Sequence, residues 1–225
     1  MMLSARTQLA DLVARGFEGP WKHARGSFTG EARPASVLVL FGVLDGLAST
    51  HEAQALAVSH DLDVLLLARA TTLRSHAGQV AFPGGGADPG EDAVQAALRE
   101  AVEETGLDAA GVEVLGTFDP LPMPVSNHLV TPVLAWWAKP TPVRVVDVAE
   151  SSHVFRAPVA DLLDPVNRRT VVLRRSGRTY RGPGFLVHAD GTEHLVWGFT
   201  AGILDALFDQ LRWTEEWDQE QELEL

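Results

Sequence analysis

Between residues 85 and 107, acidic, basic and glycine residues stand at spacings that suit metal-assisted phosphate chemistry. The frame reads Gly85, five residues, Glu91, seven residues, Arg99-Glu100-Ala101, one residue, Glu103-Glu104, one residue, then Gly106-Leu107. On a helix, Glu100 and Glu104 lie one turn apart, with Glu103 beside them. Three carboxylates on adjoining faces repel one another. A hard divalent cation such as Mg²⁺ or Mn²⁺ relieves that repulsion, and it takes carboxylate oxygens together with water and substrate phosphate. Gly84, Gly85 and Gly86 permit positive φ and close backbone approach, so the chain can fold tightly over the helix start and come near a substrate. Arg99 can pair with Glu91 and hold that loop in place. An isolated E-x-x-E-E is ordinarily a solvated helix face. Here seven fixed residues share a 23-residue frame. At roughly 5–8% per residue, chance supplies such a match in about one window in 10⁸.

The elements that must position these residues follow from periodicity and caps. From Glu91 to Thr105 the residues Val94, Ala97, Leu98, Ala101 and Val102 form an apolar helical stripe, and Gly106 stands where a helix stops. Glu91 and Asp92 suit the positive end of that helix. Residues 36–43, 63–70, 78–82, 112–118, 129–138, 169–175 and 184–188 read as strands, and 4–17, 158–163 and 198–212 as helices. Residues 51–60 are ambiguous between strand and helix. The stretch "DPLPMPVSN" (119–127) reads as irregular, and the acidic "EEWDQEQELEL" (215–225) as a solvated or frayed tail. No repeat and no long linker divides the chain, so residues 1–225 are expected to form one domain, an α/β or α+β sandwich.

The frame at 85–107 resembles the Nudix box, the loop–helix–loop signature of hydrolases that act on nucleoside diphosphates linked to another moiety. That resemblance implies the Nudix fold, a mixed β-sheet sandwiched between helices, and metal-assisted hydrolysis of a pyrophosphate bond. It implies Glu100, Glu103 and Glu104 as metal ligands, with Glu91, Arg99 and Gly106 structural in the motif. Ala101 stands where a bulkier aliphatic residue is common, a change on the packing side. Upstream, "LLLARATTLRSHAGQVAFPGG" is similar to the extended signature of coenzyme A pyrophosphatases: Leu65, Leu66, Arg69, Arg74, Gly78, Phe82, Pro83, Gly84 and Gly85 fall in register. Leu67 and Ala70 replace the usual threonine and serine. With weaker matches at 130–135, 154–163 and 194–204, the resemblance covers residues 35–205 and leaves out an N-terminal helix within 1–20 and the tail at 213–225.

Coenzyme A carries a pyrophosphate and a 3′-phosphate, and guanidinium forks suit phosphate oxygens. Arg69 and Arg74 are therefore the candidate phosphate contacts, beside Gly85. Relatives often carry a glutamate where Glu150 stands. It is a candidate catalytic acid for proton transfer or a further metal, and a solvated loop acid is the competing reading. His76 and His153 read as surface histidines. The expected function is hydrolysis of coenzyme A and its derivatives to 3′,5′-ADP and 4′-phosphopantetheine or its derivative. The alternatives are a pyrophosphatase for ADP-ribose or dinucleoside polyphosphates, and a Nudix module that binds a nucleotide without cleaving it.

Composition sets the outer bounds. A formal charge of −12 over 225 residues argues against non-specific nucleic-acid binding. The absence of cysteine rules out disulfides and thiol nucleophiles and suits a reducing compartment. No apolar run is long enough to cross a bilayer, so a cytoplasmic protein without membrane or nucleic-acid partners is expected. A homodimer stays open.

Overall fold

Leu62–Arg69 (β2) is an almost unbroken buried run, a pattern that demands cover on both faces of a sheet. The computed structural model describes residues 3–17, 30–43, 49–72, 77–123, 126–175, 177–189 and 191–225. In it β2 sends Leu65 and Leu67 into one core and Val64, Leu66 and Ala68 into another. Around β2 stand β1 (Arg33–Val43), β3 (Val80–Ala81), β4 (Gly84–Gly86), β5 (Val112–Thr117), β6 (Leu121–Met123), β7 (His128–Trp137) and β8 (Ser151–Pro158). The strand order is β3-β2-β1-β7-β5, with β4 on β1, β6 on β7 and β8 on β2. β1 and β7 are parallel and the other pairs antiparallel, so the sheet is mixed.

Helix α2 (Ala93–Thr105) covers one face, where Ala97 and Ala101 join Leu38, Leu40, Val133 and Trp137. The opposite core collects α1 (Ala5–Arg15), α3 (Val159–Leu163) and α4 (Gly198–Leu211). It also takes Phe185, Val187 and Val196 from a second sheet. That sheet runs β11 (Thr192–Trp197), β10 (Arg178–Ala189), β9 (Arg168–Arg175), β12 (Glu222–Glu224). A mixed sheet between helices is the Nudix fold expected from the sequence.

Local chemistry fixes the helix that matters most. Asp92 caps α2 by accepting from Gln95 N, and the Gln95 side chain accepts from Asp92 N, a full capping box. The helix therefore begins two residues after Glu91, which leaves Glu91 in the loop. Gly106 at φ 68° ends it in the left-handed region.

Several expectations are corrected. Residues 119–127 are not wholly irregular: Leu121–Met123 pairs with β7, and Asn127 at φ 57° takes part in the reversal. Pro122 is tolerated because this short strand lies at an edge, where a missing donor costs little. Residues 51–60 form neither strand nor helix, and the strand expected at 78–82 shrinks to β3. The strand expected at 184–188 extends over Arg178–Ala189, and β8 and β11 were not foreseen.

The tail is not frayed. Glu215 is only 5% exposed and accepts from Gln54 N at 2.9 Å and from the His51 ring at 3.1 Å. Trp217 stacks on the Arg168 guanidinium, and Glu222–Glu224 pairs in parallel with β9. The acidic composition concealed the anchoring side chains Trp213, Trp217 and Leu223 among polar neighbours.

Candidate functional site

The glycine run at 84–86 is a strand rather than a tight loop. β4 pairs with β1 in the register Ser36↔Gly85 and Val37↔Gly84. Each glycine there has its own reason. A Cβ on Gly84 would lie 2.3 Å from the Ser36 carbonyl oxygen, so β1 admits nothing larger. A Cβ on Gly85 would lie 2.5 Å from the Glu100 carboxyl carbon. Gly86 has open space around it. The expected positive φ is absent at Gly85 and Gly86. Gly85 instead leaves room for a carboxylate.

Across this strand α2 presents its acids. The Gly84 N–H donates to Glu104 Oε2 at 2.9 Å. Glu104 is 8% exposed, and burial pushes its carboxyl up to about 7. The Gly84 N–H and Arg69 oppose that rise, whereas Glu100 and Glu150 add to it. Glu100 is raised for the same leading reason, burial, with Glu103 and Glu150 adding to the effect against the pull of Arg99. The half-buried Glu100 thus disfavours the charged form of the buried Glu104 across one turn of helix.

Arg99 ties the loop to the helix. Its Nε donates to Glu91 Oε1 at 2.8 Å and its Nη2 to Glu91 Oε2 at 3.0 Å, a bidentate fork. Nη2 also donates to the Gly86 carbonyl at 2.9 Å, and Nη1 reaches Glu100 and Glu103, each at 3.0 Å. Hydrogen bonding to Arg99 holds Glu91 below the usual carboxylate range, and Glu91 in turn raises Arg99. The structural pairing of Glu91 with Arg99 read from the sequence is present.

From the other side come β2 and the loop into β8. The β2–β8 register shifts between Ala68 and Arg69, and such irregularities re-aim side chains. The Arg69 Nε is buried with no hydrogen-bond partner among the described residues. The Glu150 carbonyl accepts from Ala70 N at 2.8 Å, which fixes the loop that carries its exposed carboxylate. Arg69, Glu100, Glu104 and Glu150 are therefore brought together. Glu103 is turned outward, with 58% of its side chain exposed. Arg74 and His76 lie outside the described residues. His153 is not a lone surface histidine: its Nδ1 lies 2.9 Å from His194 Nε2, and His194 stacks on Phe155.

Two features of the structure escaped the sequence reading. The Gly84 N–H as a donor to Glu104 depends on β1 pressing β4 against α2, a long-range pairing with no local signal. His194 sits in β11, which no periodicity announced.

A divalent cation fits the donor set. Among the described residues no three His, Asp or Glu side chains already converge on one point. Glu100 and Glu104, however, are hard oxygen donors, both raised by burial, and Glu100 raises Glu104 further. A cation reverses both effects.

The NUDIX domain family model matches residues 50–175. A Photorhabdus laumondii protein named "Uncharacterized Nudix hydrolase NudL" is 37% identical over 150 residues, 66% of this chain and 77% of that protein. Its Escherichia coli K12 namesake is 38% identical over 149 residues, 66% of this chain and 74% of that one. Among solved structures, a MutT/nudix family protein from Enterococcus faecalis aligns with 94% of this chain and 76% of its own, with TM-score 0.49 and 15% identity. The NUDIX domain of Shewanella oneidensis NrtR, complexed with ADP ribose, aligns with 68% of this chain and 85% of its own, with TM-score 0.42 and 22% identity.

Proposed function

The chain belongs to the Nudix family of hydrolases acting on pyrophosphate substrates, and from that premise we propose that its substrate is coenzyme A or an acyl or oxidised derivative. The products are 3′,5′-ADP and 4′-phosphopantetheine or its derivative. The observation that carries the reading is the meeting of Arg69 with Glu100, Glu104 and Glu150 beside the Gly84–Gly85 strand. A buried acid among further acids that lack enough positive charge calls for a cation, and a buried guanidinium nitrogen without a hydrogen-bond partner among the described residues calls for an anion. A metal-bound pyrophosphate answers both.

Glu100, Glu103 and Glu104 would hold Mg²⁺ or Mn²⁺, with Glu150 facing them. The metal supplies neutralisation of phosphate charge and a more acidic water. The chain's own residues do the rest. The Gly84 N–H fixes the Glu104 carboxylate at 2.9 Å. Arg99 holds the loop through Glu91 and sets the positions of Glu100 and Glu103. Glu150 accepts the proton of the attacking water at its exposed carboxylate. Arg69 donates to a pyrophosphate oxygen, and Arg74, ahead of β3 in the coenzyme A signature, contacts phosphate as well.

The test is a panel of coenzyme A, dephospho-coenzyme A, ADP-ribose and dinucleoside tetraphosphates, assayed with and without Mg²⁺ or Mn²⁺ and analysed by product mass. Metal-dependent release of 3′,5′-ADP from coenzyme A with the highest kcat/KM is expected. Tenfold preference for ADP-ribose or a dinucleoside polyphosphate replaces coenzyme A by that substrate. Binding without turnover of any of them makes the chain a nucleotide-binding module.

A further inference from the structure

The chain carries a formal charge of −12, yet the β9–β10 hairpin holds Arg168, Arg169, Arg174, Arg175, Arg178 and Arg181. One of these serves the interior. Arg168 is 1% exposed, pairs with Asp205 and lies between the Phe185 and Trp217 rings. Three others meet the acidic C-terminal segment. Arg169 Nη1 donates to Gln221 Oε1 at 3.0 Å, and Arg174 Nε and Nη2 donate to Glu224 Oε1 at 3.1 and 3.0 Å. Arg181 Nη1 donates to Glu222 Oε1 at 2.5 Å.

The backbone of the segment is read as well. Thr170 N donates to the Gln221 carbonyl at 2.9 Å, and Leu225 N donates to the Val172 carbonyl at 3.0 Å. Thr170 Oγ1 donates to the Gln219 carbonyl at 2.8 Å. The register Glu222↔Thr170 and Glu224↔Val172 places both acids on the face of β9 that carries Arg174. Without this strand, the β9 edge would present unpaired N–H and C=O groups, and no proline or bulge interrupts it from Arg168 to Arg175.

The contact is regular but lightly held. β12 is three residues long, with only Leu223 partly covered. Its ion pairs are open to water: both partners of Arg174–Glu224 are 64% exposed, and Arg181–Glu222 is 51% and 39% exposed. Exposed pairs are weak and screened by salt. A strand seated this way can exchange with another of the same chemistry.

We propose that the β9 edge, with Arg169, Arg174 and Arg181, is a strand-addition site for an extended acidic peptide, occupied here by the chain's own residues 219–225. Edge hydrogen bonds at strand spacing select a peptide backbone, and the arginines select acids at alternate positions around an apolar residue. The acidic segment acts as an intramolecular competitor. At an effective concentration of about 1 mM, it lowers the apparent affinity of a competing peptide with a Kd of about 0.1 mM by roughly tenfold.

The test uses a fluorescent peptide, DQEQELEL, the sequence of residues 218–225. Its binding is measured by anisotropy to the intact chain, to a chain ending at Asp218, and to the full-length double variant Glu222→Lys, Glu224→Lys. Thermal melts and circular dichroism establish that each is folded. Both altered chains should bind the peptide at least about tenfold more tightly than the intact one, with affinity falling as salt rises. Adding Arg174→Glu and Arg181→Glu to the shortened chain should abolish binding of this peptide and confer binding of DQEQKLKL. If the shortened chain does not fold, the double variant decides alone. No binding by any folded altered chain, or equal binding by the intact one, overturns the proposal. Equal affinity for an oligonucleotide of matching charge overturns the assignment to a peptide.

Discussion

Two regions of this molecule bring arginine and glutamate together, and they use the pairing in opposite ways. Around α2 the acids are drawn out of water faster than positive charge is supplied. Glu104 is held at about 7 and Glu100 is raised, although Arg99 and Arg69 stand close by. At the β9–β12 edge each acid has its own arginine and ample water. The first region stores an electrostatic deficit that a cation can fill. The second is already balanced and gains little from its pairs. What separates the proposed metal site from the surface ladder is therefore burial without compensation, not the number of charges.

The sharpest way to break that contrast is to remove the buried charge. Glu104→Gln keeps the size and the hydrogen bond from Gly84 N and deletes a carboxylate proposed to hold the metal. Turnover should fall by about 10²-fold or more with the melting temperature maintained or raised. A folded variant with near-native kcat would sink the metal assignment. Next in size is Arg69→Ala. A charge-assisted contact to phosphate is worth roughly 1.5–3 kcal/mol, so kcat/KM should drop by about 10- to 150-fold. The parallel Arg74→Ala sharpens the substrate: a loss confined to coenzyme A and absent for dephospho-coenzyme A points to the 3′-phosphate, and an equal loss on both points to the pyrophosphate.

A smaller effect separates two adjacent glycines. At Gly85 a methyl group meets the end of a flexible side chain, the Glu100 carboxyl at 2.5 Å. The fold should therefore survive Gly85→Ala, and activity should fall by about tenfold as Glu100 is displaced. At Gly86 nothing lies within 4 Å of an added Cβ, so Gly86→Ala should leave turnover unchanged. Equal behaviour of the two variants would mean that Gly85 is only a spacer.

These predictions also mark how far the sequence carried. Helix α2 was legible because its determinants are local: the Ala97 and Ala101 stripe and Gly106 lie within one stretch of chain, although the Asp92–Gln95 box that moves its start from Glu91 to Ala93 was not read. Glu91 and Arg99 were legible for the same reason. The special environment of Glu104 was not, since it needs β1 to press β4 against the helix, and β1 is far away in sequence. The C-terminal segment misled by composition. Acidic residues dominate its average, but its placement is decided by Trp213, Trp217 and Glu215, each meeting a partner more than forty residues away. His153 looked like a surface residue because its partner His194 belongs to a strand that had no signature of its own.

That histidine pair joins β8 of the large sheet to β11 of the second sheet, and it yields a prediction about pH. Burial, followed by the neighbouring His153, lowers the pKa of His194 below its ordinary 6.5. The unfolded chain then binds a proton near 6.5 that the folded chain resists, so stability is fully present above that pH and is lost as pH falls below it. The geometry agrees, because two imidazoles 2.9 Å apart can share a hydrogen bond only while one nitrogen accepts. The melting temperature should drop by about 1–3 °C more between pH 7.5 and 5.5 than in His194→Gln, which cannot titrate.

The exposed ladder should contribute only a small effect. Arg174→Ala removes a pair whose partners are both 64% exposed. Such pairs contribute about 0–1 kcal/mol, so the melting temperature should shift by no more than about 2–4 °C and the shift should vanish in 0.5 M salt. Catalysis should not change, because none of the described contacts of Arg174 reaches α2. By contrast, Glu215→Ala removes a buried carboxylate that accepts from Gln54 N and meets the His51 ring. Losing hydrogen bonds to a buried charged group costs about 1.5–3 kcal/mol, which salt screens little. The comparison of these two variants in low and high salt asks which part of the C-terminal segment anchors it. A salt-insensitive loss at Glu215 with a salt-sensitive trifle at Arg174 places the anchor at residues 213–217 and leaves β12 as the exchangeable end. A large, salt-insensitive loss at Arg174 would reverse that order, and with it the distinction between the two regions.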